Sequence, residues 1–360
     1  MTTNEYLTIF QNECHKPSVE HAALHFFESY TKYAPKIHTA IISNFKFFFS
    51  LLLDLQHNNL IANINHITIS YLFSELMCGN PQLLFEIYPS IPFMEHSIVS
   101  KSFKAAWVLP EWEQYPNELI SLARKAGIIN AVHEPYIRAM SWALGRDLLH
   151  VASTYIKTQM IDIPQIKEFQ SLKISGNFEI TFGEYMGWQR TIFAMRPNVD
   201  IFNCESSEDL TFRTFERINY EDKSFNQLDL SDSIFHLCTF KNCKFKDVKF
   251  CDARFEGCNF ISCQFQDIRL DGASFEATLF QSNLLNSIHT NCITQCENSV
   301  FCGFGSASFY NCNFNEAKIL NSDFSLCNFE VCQVQNCSVE NCTLSDSMQT
   351  CFQTKDGEDS

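Results

Sequence analysis

From Leu230 onward, a large apolar residue recurs at every fifth position. The run comprises Leu230, Phe235, Phe240, Phe245, Phe250, Phe255, Phe260, Phe265, Leu270, Phe275 and Phe280. A small or apolar residue stands two positions before each of them, as Cys238, Ala253 and Cys258 do. A period of five matches neither the α-helix nor the β-strand. The pattern therefore predicts a solenoid that turns a corner every five residues and buries two side chains on each side.

Similar residues also recur at intervals of twenty. Writing the run in rows of twenty places Phe235 above Phe255 and Phe275, and Leu230 above Phe250. Four five-residue sides per coil explain both intervals, because residue i then lies on residue i+20 at the strand spacing of about 4.8 Å. We therefore predict a four-sided β-helix whose axis is filled by stacked Phe side chains.

The pattern changes phase by one residue in its later part. The second run comprises Phe304, Phe309, Phe314, Ile319, Phe324, Phe329, Val334, Val339 and Leu344. The intervening residues fit poorly, and only Leu284 keeps the new phase. We predict an irregular loop at about 284–300 and a restart of the coil at Phe304, between Gly303 and Gly305.

Residues 225–350, approximately, resemble the pentapeptide-repeat family, whose motif A(D/N)LXX has Leu or Phe at its centre. The tripeptides ARF, ASF and AKI begin at Ala253, Ala273 and Ala317, and CTF, CKF, CNF and CQF are variants with Cys in the small position. Known members form right-handed quadrilateral β-helices, and the resemblance implies that fold here. The predicted core comprises Phe235, Phe240, Phe245, Phe250, Phe255, Phe260, Phe265, Phe275, Phe280, Phe304, Phe309, Phe314, Phe324 and Phe329. The N-terminal half carries no such resemblance.

The predicted fold class is α+β with several domains. Residues 1–172 are predicted to form a mostly α-helical domain, because apolar residues recur at helical spacing between Pro and Gly breaks. The candidate helices cover about 3–13, 18–33, 36–56, 66–78, 81–88, 95–107, 116–126, 134–156 and 164–171. Residues 173–224 alternate and contain several glycines, which predicts a β-rich connector that caps the solenoid. Residues 351–360 are predicted to be a disordered acidic tail.

Charge is distributed unevenly along the chain. The formal net charge is −15, and residues 201–360 carry 23 acidic against 11 basic residues. Five basic residues of the early coils are candidate surface contacts: Lys241, Lys244, Lys246, Lys249 and Arg254. From Asp271 to Cys351 only Lys318 is basic. Since nucleic-acid binders normally carry a basic face, direct nucleic-acid binding is not expected.

Ten of the 17 cysteines occupy small inward positions of the repeat. They are Cys238, Cys243, Cys258, Cys263, Cys302, Cys312, Cys327, Cys332, Cys337 and Cys342. There Cys acts as a compact hydrophobic residue, which favours reduced thiols and a reducing compartment. A disulfide between stacked Cys238 and Cys258 is the alternative. Outside the repeat, Cys292 and Cys296 would need two more ligands to bind zinc.

Motifs for chemistry are sparse in the first half. His21, His25 and Glu28 would share one helix face, which suits two or three metal ligands, although the HExxH motif of zincins is absent. Cys14 and His15 are adjacent, so on a helix their side chains point apart. We therefore predict no catalytic residue, no metal site and no cofactor.

Aromatic and apolar residues of this half are attributed to its core. Trp107, Trp112, Trp142 and Trp188 are expected to pack inside, with a ligand groove as the alternative. The apolar stretch Ile37–Leu55 contains Lys46 and Asp54, which favours a buried helix over a membrane span. Membrane contact is therefore not expected, and the start MTTNEYLTIF lacks the features of a signal peptide.

A rigid rod of roughly six coils is better suited to binding than to catalysis. We expect a non-catalytic protein–protein interaction or scaffold protein whose helical domain binds a partner; the sequence indicates neither that partner nor an oligomeric state. The architecture resembles pentapeptide-repeat effectors of pathogenic bacteria, which implies a bacterial cytoplasmic protein or one translocated into a host cell without a cleaved signal peptide. Two alternatives stay open. One is a DNA-mimicking protein that protects gyrase, as in related quinolone-resistance proteins, and the other is an enzyme with a cryptic site in the helical half.

Overall fold

The computed structural model describes residues 2–88, 96–110, 112, 114–205, 208–290 and 306–353. The chain divides into two units, Met1–Ala194 (unit 1) and Met195–Ser360 (unit 2). The predicted architecture, a helical N-terminal region followed by a β-solenoid, is confirmed.

Helices make up most of unit 1. They are α1 (Thr3–Ile9), α2 (Lys16–His57), α3 (Phe73–Met77), α4 (Gln114–Lys125), α5 (Ile129–Val132), α6 (Glu134–Gln159) and α7 (Lys167–Ser171). A π-helix (Phe10–His15) joins α1 to α2, and a 3-10 helix (Met160–Gln165) follows α6. The predicted helices at about 116–126, 134–156 and 164–171 correspond to α4, α6 and α7.

Helix α2 contradicts the predicted break at Pro35, because it runs through that residue without interruption. Proline removes one backbone donor and disfavours a helix interior. One buried stripe nevertheless continues past it, from Phe26 and Tyr30 to Ile37 and Ile41. Burial of this stripe offsets the local cost of the proline. Phe45, Phe48, Phe49 and Leu52 are also buried, so the apolar stretch at 37–55 is a buried helix segment as predicted.

A five-stranded sheet is the second component of unit 1. Its strands are β1 (Ile64–Tyr71), β2 (Gln82–Ile87), β3 (Val99–Lys104), β4 (Ile174–Glu184) and β5 (Gln189–Met195), in the order β3-β2-β1-β4-β5. Strand β1 pairs antiparallel with β2 and parallel with β4. No helix among the described residues is long and apolar enough to cross a membrane.

Three predicted helices, at about 66–78, 81–88 and 95–107, were wrong over most of their length, because β1, β2 and β3 lie there. The central strand β1 is buried on both faces from Ile67 to Tyr71, so it lacks the alternation that marks a half-exposed strand. The predicted connector at 173–224 was also wrong as one segment. Strands β4 and β5 belong to the sheet of unit 1, whereas the following residues belong to unit 2.

The described residues of unit 2 form one helix and twenty short strands. In chain order they are β6 (Thr214–Glu216), β7 (Asn219–Glu221), β8 (Ser224–Asn226), β9 (Ile234–His236), β10 (Thr239–Lys241), β11 (Lys244–Lys246), β12 (Arg254–Glu256), β13 (Asn259–Ile261), β14 (Gln264–Arg269), β15 (Ser274–Glu276), β16 (Leu279–Gln281), β17 (Leu284–His289), β18 (Ser308–Tyr310), β19 (Asn313–Asn315), β20 (Lys318–Leu320), β21 (Asp323–Phe324), β22 (Asn328–Glu330), β23 (Gln333–Gln335), β24 (Ser338–Glu340) and β25 (Thr343–Leu344). They form a solenoid of about six coils.

The strands define four faces. Face 1 contains β6, β9, β12, β15, β18 and β22; face 2 contains β7, β10, β13, β16, β19 and β23; face 3 contains β8, β11, β14, β17, β20 and β24. Face 4 is formed by the bridges Asp229–Lys249 and Lys249–Arg269 and, further on, by β21 and β25. All pairings between coils are parallel, and Phe235 is in register with Phe255, twenty residues on. This confirms the predicted twenty-residue columns.

An insertion explains the change of phase. Phe275 is in register with Phe309, 34 residues on instead of 20, an excess of 14. Since 34 is one less than a multiple of five, the second run appears shifted by one residue. The assignment of Leu284 to the new phase was wrong, because Leu285 is the buried residue and continues the old phase. The predicted irregular loop at 284–300 was wrong for its first six residues, which form β17, whereas residues 291–300 and Phe304 lie outside the described residues.

Both ends of the solenoid core are covered. At the first coil, the Phe202 ring packs on the core, and its centroid lies 5.9 Å from that of Tyr220 and 5.0 Å from that of Phe225. At the last coil, helix α8 (Asp346–Gln353) inserts the fully buried Met348. The predicted disordered tail at 351–360 was therefore wrong for its first three residues, which end α8; the rest lies outside the described residues. Covering the ends shields strand edges that would otherwise pair with other chains.

Candidate protein-interaction surface

The axis of the solenoid is filled by stacked rings. Every described phenylalanine of the predicted core is at most 7% exposed. Phe255 lies between Phe235 and Phe275, with ring centroids 4.7 and 4.6 Å apart and the planes nearly parallel. A cavity among these rings measures about 20 Å³, roughly the space of one water. Along its described residues, the axis therefore offers no room for a substrate.

The small inward residues are hydrogen-bond donors, a role that the sequence analysis missed. The Cys258 thiol donates to the carbonyl of Phe235 at 3.2 Å, and the Thr278 hydroxyl donates to that of Phe255 at 3.4 Å. Asn283 donates equivalently to Phe260 at 2.9 Å. The described cysteines are free thiols. A hydrogen bond with Cys238, together with burial, raises the pKa of Cys258, so this thiol keeps its proton at neutral pH.

The five candidate basic residues do not form one patch. Arg254 lies on face 1, Lys241 on face 2, Lys244 and Lys246 on face 3, and Lys249 on face 4. A chain that turns every five residues distributes neighbouring residues over different faces. Lys241 contacts Glu221 at 2.6 Å and Lys249 contacts Asp229 at 3.6 Å, so two of the five form ion pairs between coils. Only Lys244 and Lys246 share a face.

Face 1 carries a column of mostly acidic side chains. Each of them is the residue that follows a buried axial ring in the sequence. In register from coil to coil, the column comprises Glu216, His236, Glu256, Glu276, Tyr310 and Glu330. We call it the glutamate column. Glu256 and Glu276 are direct neighbours, about 4.8 Å apart between strands, and like charges in this position destabilise a sheet. His236 Nδ1 lies 3.3 Å from Glu256 Oε2 and is available to offset that repulsion when protonated.

The equivalent columns of the next two faces are less acidic. On face 2 it comprises Glu221, Lys241, Ile261, Gln281, Asn315 and Gln335, and on face 3 Asn226, Lys246, Gln266, Asn286, Leu320 and Glu340. The glutamate column thus distinguishes face 1. Reading every twentieth residue from Glu216 would have found its first four members in the sequence, but not Tyr310 and Glu330, which follow the insertion.

The candidate residues of unit 1 lie in several places. His21 and His25 have ring centroids 6.5 Å apart on α2, but no group of three potential metal ligands occurs among the described residues. Cys14 is buried in the π-helix. Trp112 lies 5.4 Å from Tyr115, whereas Trp188 stacks on His150 at 3.8 Å. Trp112 and Trp188 therefore pack against different partners.

Comparison with known proteins identifies the solenoid. Models of pentapeptide repeats match residues 240–282 and 307–346. Residues 240–282 and 307–346 of the solenoid are therefore pentapeptide repeats. No curated protein matches the chain.

Solved pentapeptide-repeat structures are similar to this domain. One is a pentapeptide repeat protein from the Arabidopsis thaliana thylakoid lumen, at 14% identity over 35% of this chain and 76% of that chain, with a TM-score of 0.25. Another is full-length QnrB1, a plasmid-mediated fluoroquinolone resistance protein, at 12% identity over 41% and 98% of the two chains, with a TM-score of 0.12. A third is HetL from the cyanobacterium Nostoc, involved in heterocyst differentiation regulation, at 12% identity over 39% and 89%, with a TM-score of 0.14. These likenesses concern the fold alone.

Proposed function

We propose that the protein is a non-catalytic interaction protein whose pentapeptide-repeat domain presents its outer faces to a protein partner. The ring-filled axis carries this proposal, because it gives the domain rigidity and leaves the surface as the place for binding. Pentapeptide-repeat solenoids are typically non-enzymatic. Parallel, in-register coils hold outward side chains at fixed spacings, so little conformational entropy is lost when a partner binds.

Within this surface, the glutamate column is the contact that we propose. Its direct neighbours Glu256 and Glu276 repel each other in the free protein. Lysine or arginine side chains of a partner would relieve this repulsion and form charge-assisted hydrogen bonds. The partner is therefore expected to present basic residues along a ridge that matches the coil spacing.

Site-specific photo-crosslinking of the full chain tests the contact. A photoreactive residue replaces Glu276 on face 1 or, as a matched control, Gln266 on face 3, and each protein is exposed to extracts of the producing cell. A product formed at position 276 and not at 266 supports the proposal, provided that the double variant Glu256→Lys, Glu330→Lys abolishes it. Equal crosslinking at both positions, or none at 276, would overturn it.

We propose further that the protein is a bacterial effector which acts after translocation into a host cell. A fusion of the full chain to a reporter enzyme that is active only in host cytosol tests this. A host signal that requires the secretion apparatus of the bacterium supports translocation. Absence of a host signal, with the fusion present in the bacterial cytoplasm by immunoblot, would leave interaction inside the producing cell as the function.

Protection of gyrase by DNA mimicry is the second candidate, and the glutamate column is the observation that favours it. His236 and Tyr310 interrupt the column, so the acidic surface is divided and not continuous along the domain. A supercoiling assay with gyrase and a quinolone distinguishes the two functions. Restored supercoiling that is lost in Glu256→Lys, Glu276→Lys would favour mimicry, whereas unchanged gyrase inhibition with excess protein would exclude it.

A further inference from the structure

Unit 1 contains a cavity of about 270 Å³ between α2, the segment before α4, and α6. Five buried side chains form most of its wall: Phe26, Leu109, Trp112, Tyr115 and Leu148. Ala22 and Pro110 complete the apolar part, and His21, His25, Gln114 and Glu118 are the polar lining residues. At about 30 Å³ per water, the cavity has the volume of roughly nine waters and suits a molecule of about ten non-hydrogen atoms.

Tyr115 contributes its ring to this wall. Its side chain is 4% exposed, and its hydroxyl has no hydrogen-bond partner among the described residues. Buried hydroxyl groups are normally paired, because an unpaired one loses its bonds to water without replacement. The hydroxyl is therefore enclosed by protein atoms, so Tyr115 offers a ligand its ring and not a hydrogen bond.

The charge of the lining selects the type of ligand. Among the described lining residues, Glu118 carries the negative charge, and no lysine or arginine balances it. His21 Nδ1 lies 3.3 Å from Glu118 Oε2, but the His21 side chain is 68% exposed and can turn away into solvent. The faces of Trp112, Tyr115 and Phe26 also attract cations, because aromatic rings carry negative charge on their faces.

We propose that this cavity binds a small organic ammonium ion. Its apolar body lies against Trp112 and Phe26, and its N–H groups donate to the Glu118 carboxylate. The site is independent of the interaction function of the solenoid. It differs from a metal site, because the described residues contain no group of three suitable ligands.

Titration calorimetry of the full chain with three probes of similar shape tests the proposal. The probes are 2-phenylethylammonium, the neutral 3-phenylpropan-1-ol and the anionic 3-phenylpropionate. We expect the cation to bind about tenfold or more tightly than the alcohol, and the anion not to bind. A change in Trp fluorescence on binding, lost in Trp112→Phe, would locate the ligand beside that ring.

Matched variants separate the charge from the fold. Glu118→Gln should weaken binding of the cation about tenfold and leave the alcohol unaffected. Glu134→Gln is the control, because Glu134 contacts Arg138 on α6 and does not line the cavity. Tyr115→Phe keeps the ring and should leave the affinity for the cation unchanged, while the melting temperature stays the same or rises, since the variant removes an unpaired hydroxyl.

Three results would overturn the proposal: no binding of 2-phenylethylammonium at millimolar concentration, equal affinity for cation and anion, or unchanged cation affinity in Glu118→Gln. None of them bears on the photo-crosslinking of the solenoid, so the two proposals fail separately.

Discussion

At the corners of the solenoid, the residue two positions after the axial one usually adopts a positive φ. Asp222, Asn242 and Asp247 are examples, with φ of 56°, 54° and 54°. Asp and Asn tolerate this left-handed conformation better than other non-glycine residues. The preference at this position explains how the chain turns every five residues, and the sequence analysis did not use it.

Val331 is the poorest choice at such a corner. Its φ is 56°, and its side chain is 69% exposed, so it gains little from packing. Replacing it by Asn should raise the free energy of unfolding by about 1 kcal/mol, because β-branched residues are strained in this region. Urea denaturation would show a higher midpoint with an unchanged slope. The reciprocal variant Asn336→Val should lower the midpoint, and a lower midpoint for Val331→Asn would contradict the assignment.

A second prediction at this scale concerns the inward thiols. Cys258→Ala removes the donor to the Phe235 carbonyl and should lower the free energy of unfolding by about 1–2 kcal/mol. Cys258→Ser keeps a donor, as Thr278 does in the next coil, and should lie closer to wild type. Thermal melts of both variants under reducing conditions make the comparison. If alanine were the better tolerated, the thiol would act only as an apolar filler.

At the scale of elements, the stacked rings decide stability. The Phe260 ring is buried, and its centroid lies 4.8 Å from that of Phe240 and 5.3 Å from that of Phe280. Phe260→Asp should destabilise the domain by several kcal/mol, because an unpaired charge would be buried in an apolar stack. Phe260→Leu is the control and should cost much less, since Leu270 and Leu285 occupy axial positions elsewhere. Circular dichroism melts measure both, and a soluble Asp variant with wild-type melting would refute the stacking.

Some elements could be predicted from local sequence patterns and others could not. The strands of the solenoid follow from local periodicity, because each five-residue side makes the same contacts as the sides above and below it. The helices α4 and α6 follow from apolar spacing. Strands β1 to β3 could not be predicted from apolar spacing. The central strand β1 is buried on both faces, and it pairs with β4, a segment distant in sequence, where Ile64 is in register with Ile174.

At the scale of the whole domain, Arg213 ties the first coil to the segment before it. The residue occupies an inward position and is 2% exposed. Its Nε donates to the Asp209 carbonyl at 3.0 Å, and its guanidinium also contacts the Pro197 carbonyl and Glu208. The guanidinium thus donates to backbone carbonyls that would otherwise lack a donor near the end of the core.

Arg213→Ala should therefore cost about 2–3 kcal/mol, because it leaves these buried acceptors without a donor. Arg217→Ala is the matched control: its side chain is 72% exposed and contacts Glu216 at 3.8 Å, so its effect should be small. Equilibrium denaturation of both variants tests the difference. Equal stability of the two would show that Arg213 does not hold the end of the solenoid.

The insertion between the fourth and fifth coils allows a further prediction for the whole domain. Deleting residues 292–305 removes the excess of 14 and restores a spacing of 20 between Phe275 and the residue that pairs with it. The shortened protein should keep the wild-type circular dichroism spectrum and melt at the same or a higher temperature, because a shorter connection costs less closure entropy. A deletion of 13 residues is the control and should disrupt the register. Loss of folding in the 14-residue deletion would contradict the assigned spacing.

The amino-acid sequence alone determined the solenoid, its four-sided coil and its buried rings, because a repeat contacts only its nearest neighbours and its pattern is local. Only the tertiary structure decided which outward residues share a face. It separated the basic residues of the early coils, aligned Glu256 with Glu276, and brought Tyr115 and Glu118 to the cavity beside α2. These arrangements depend on contacts between segments distant in sequence, and the periodicity of any single segment does not contain them.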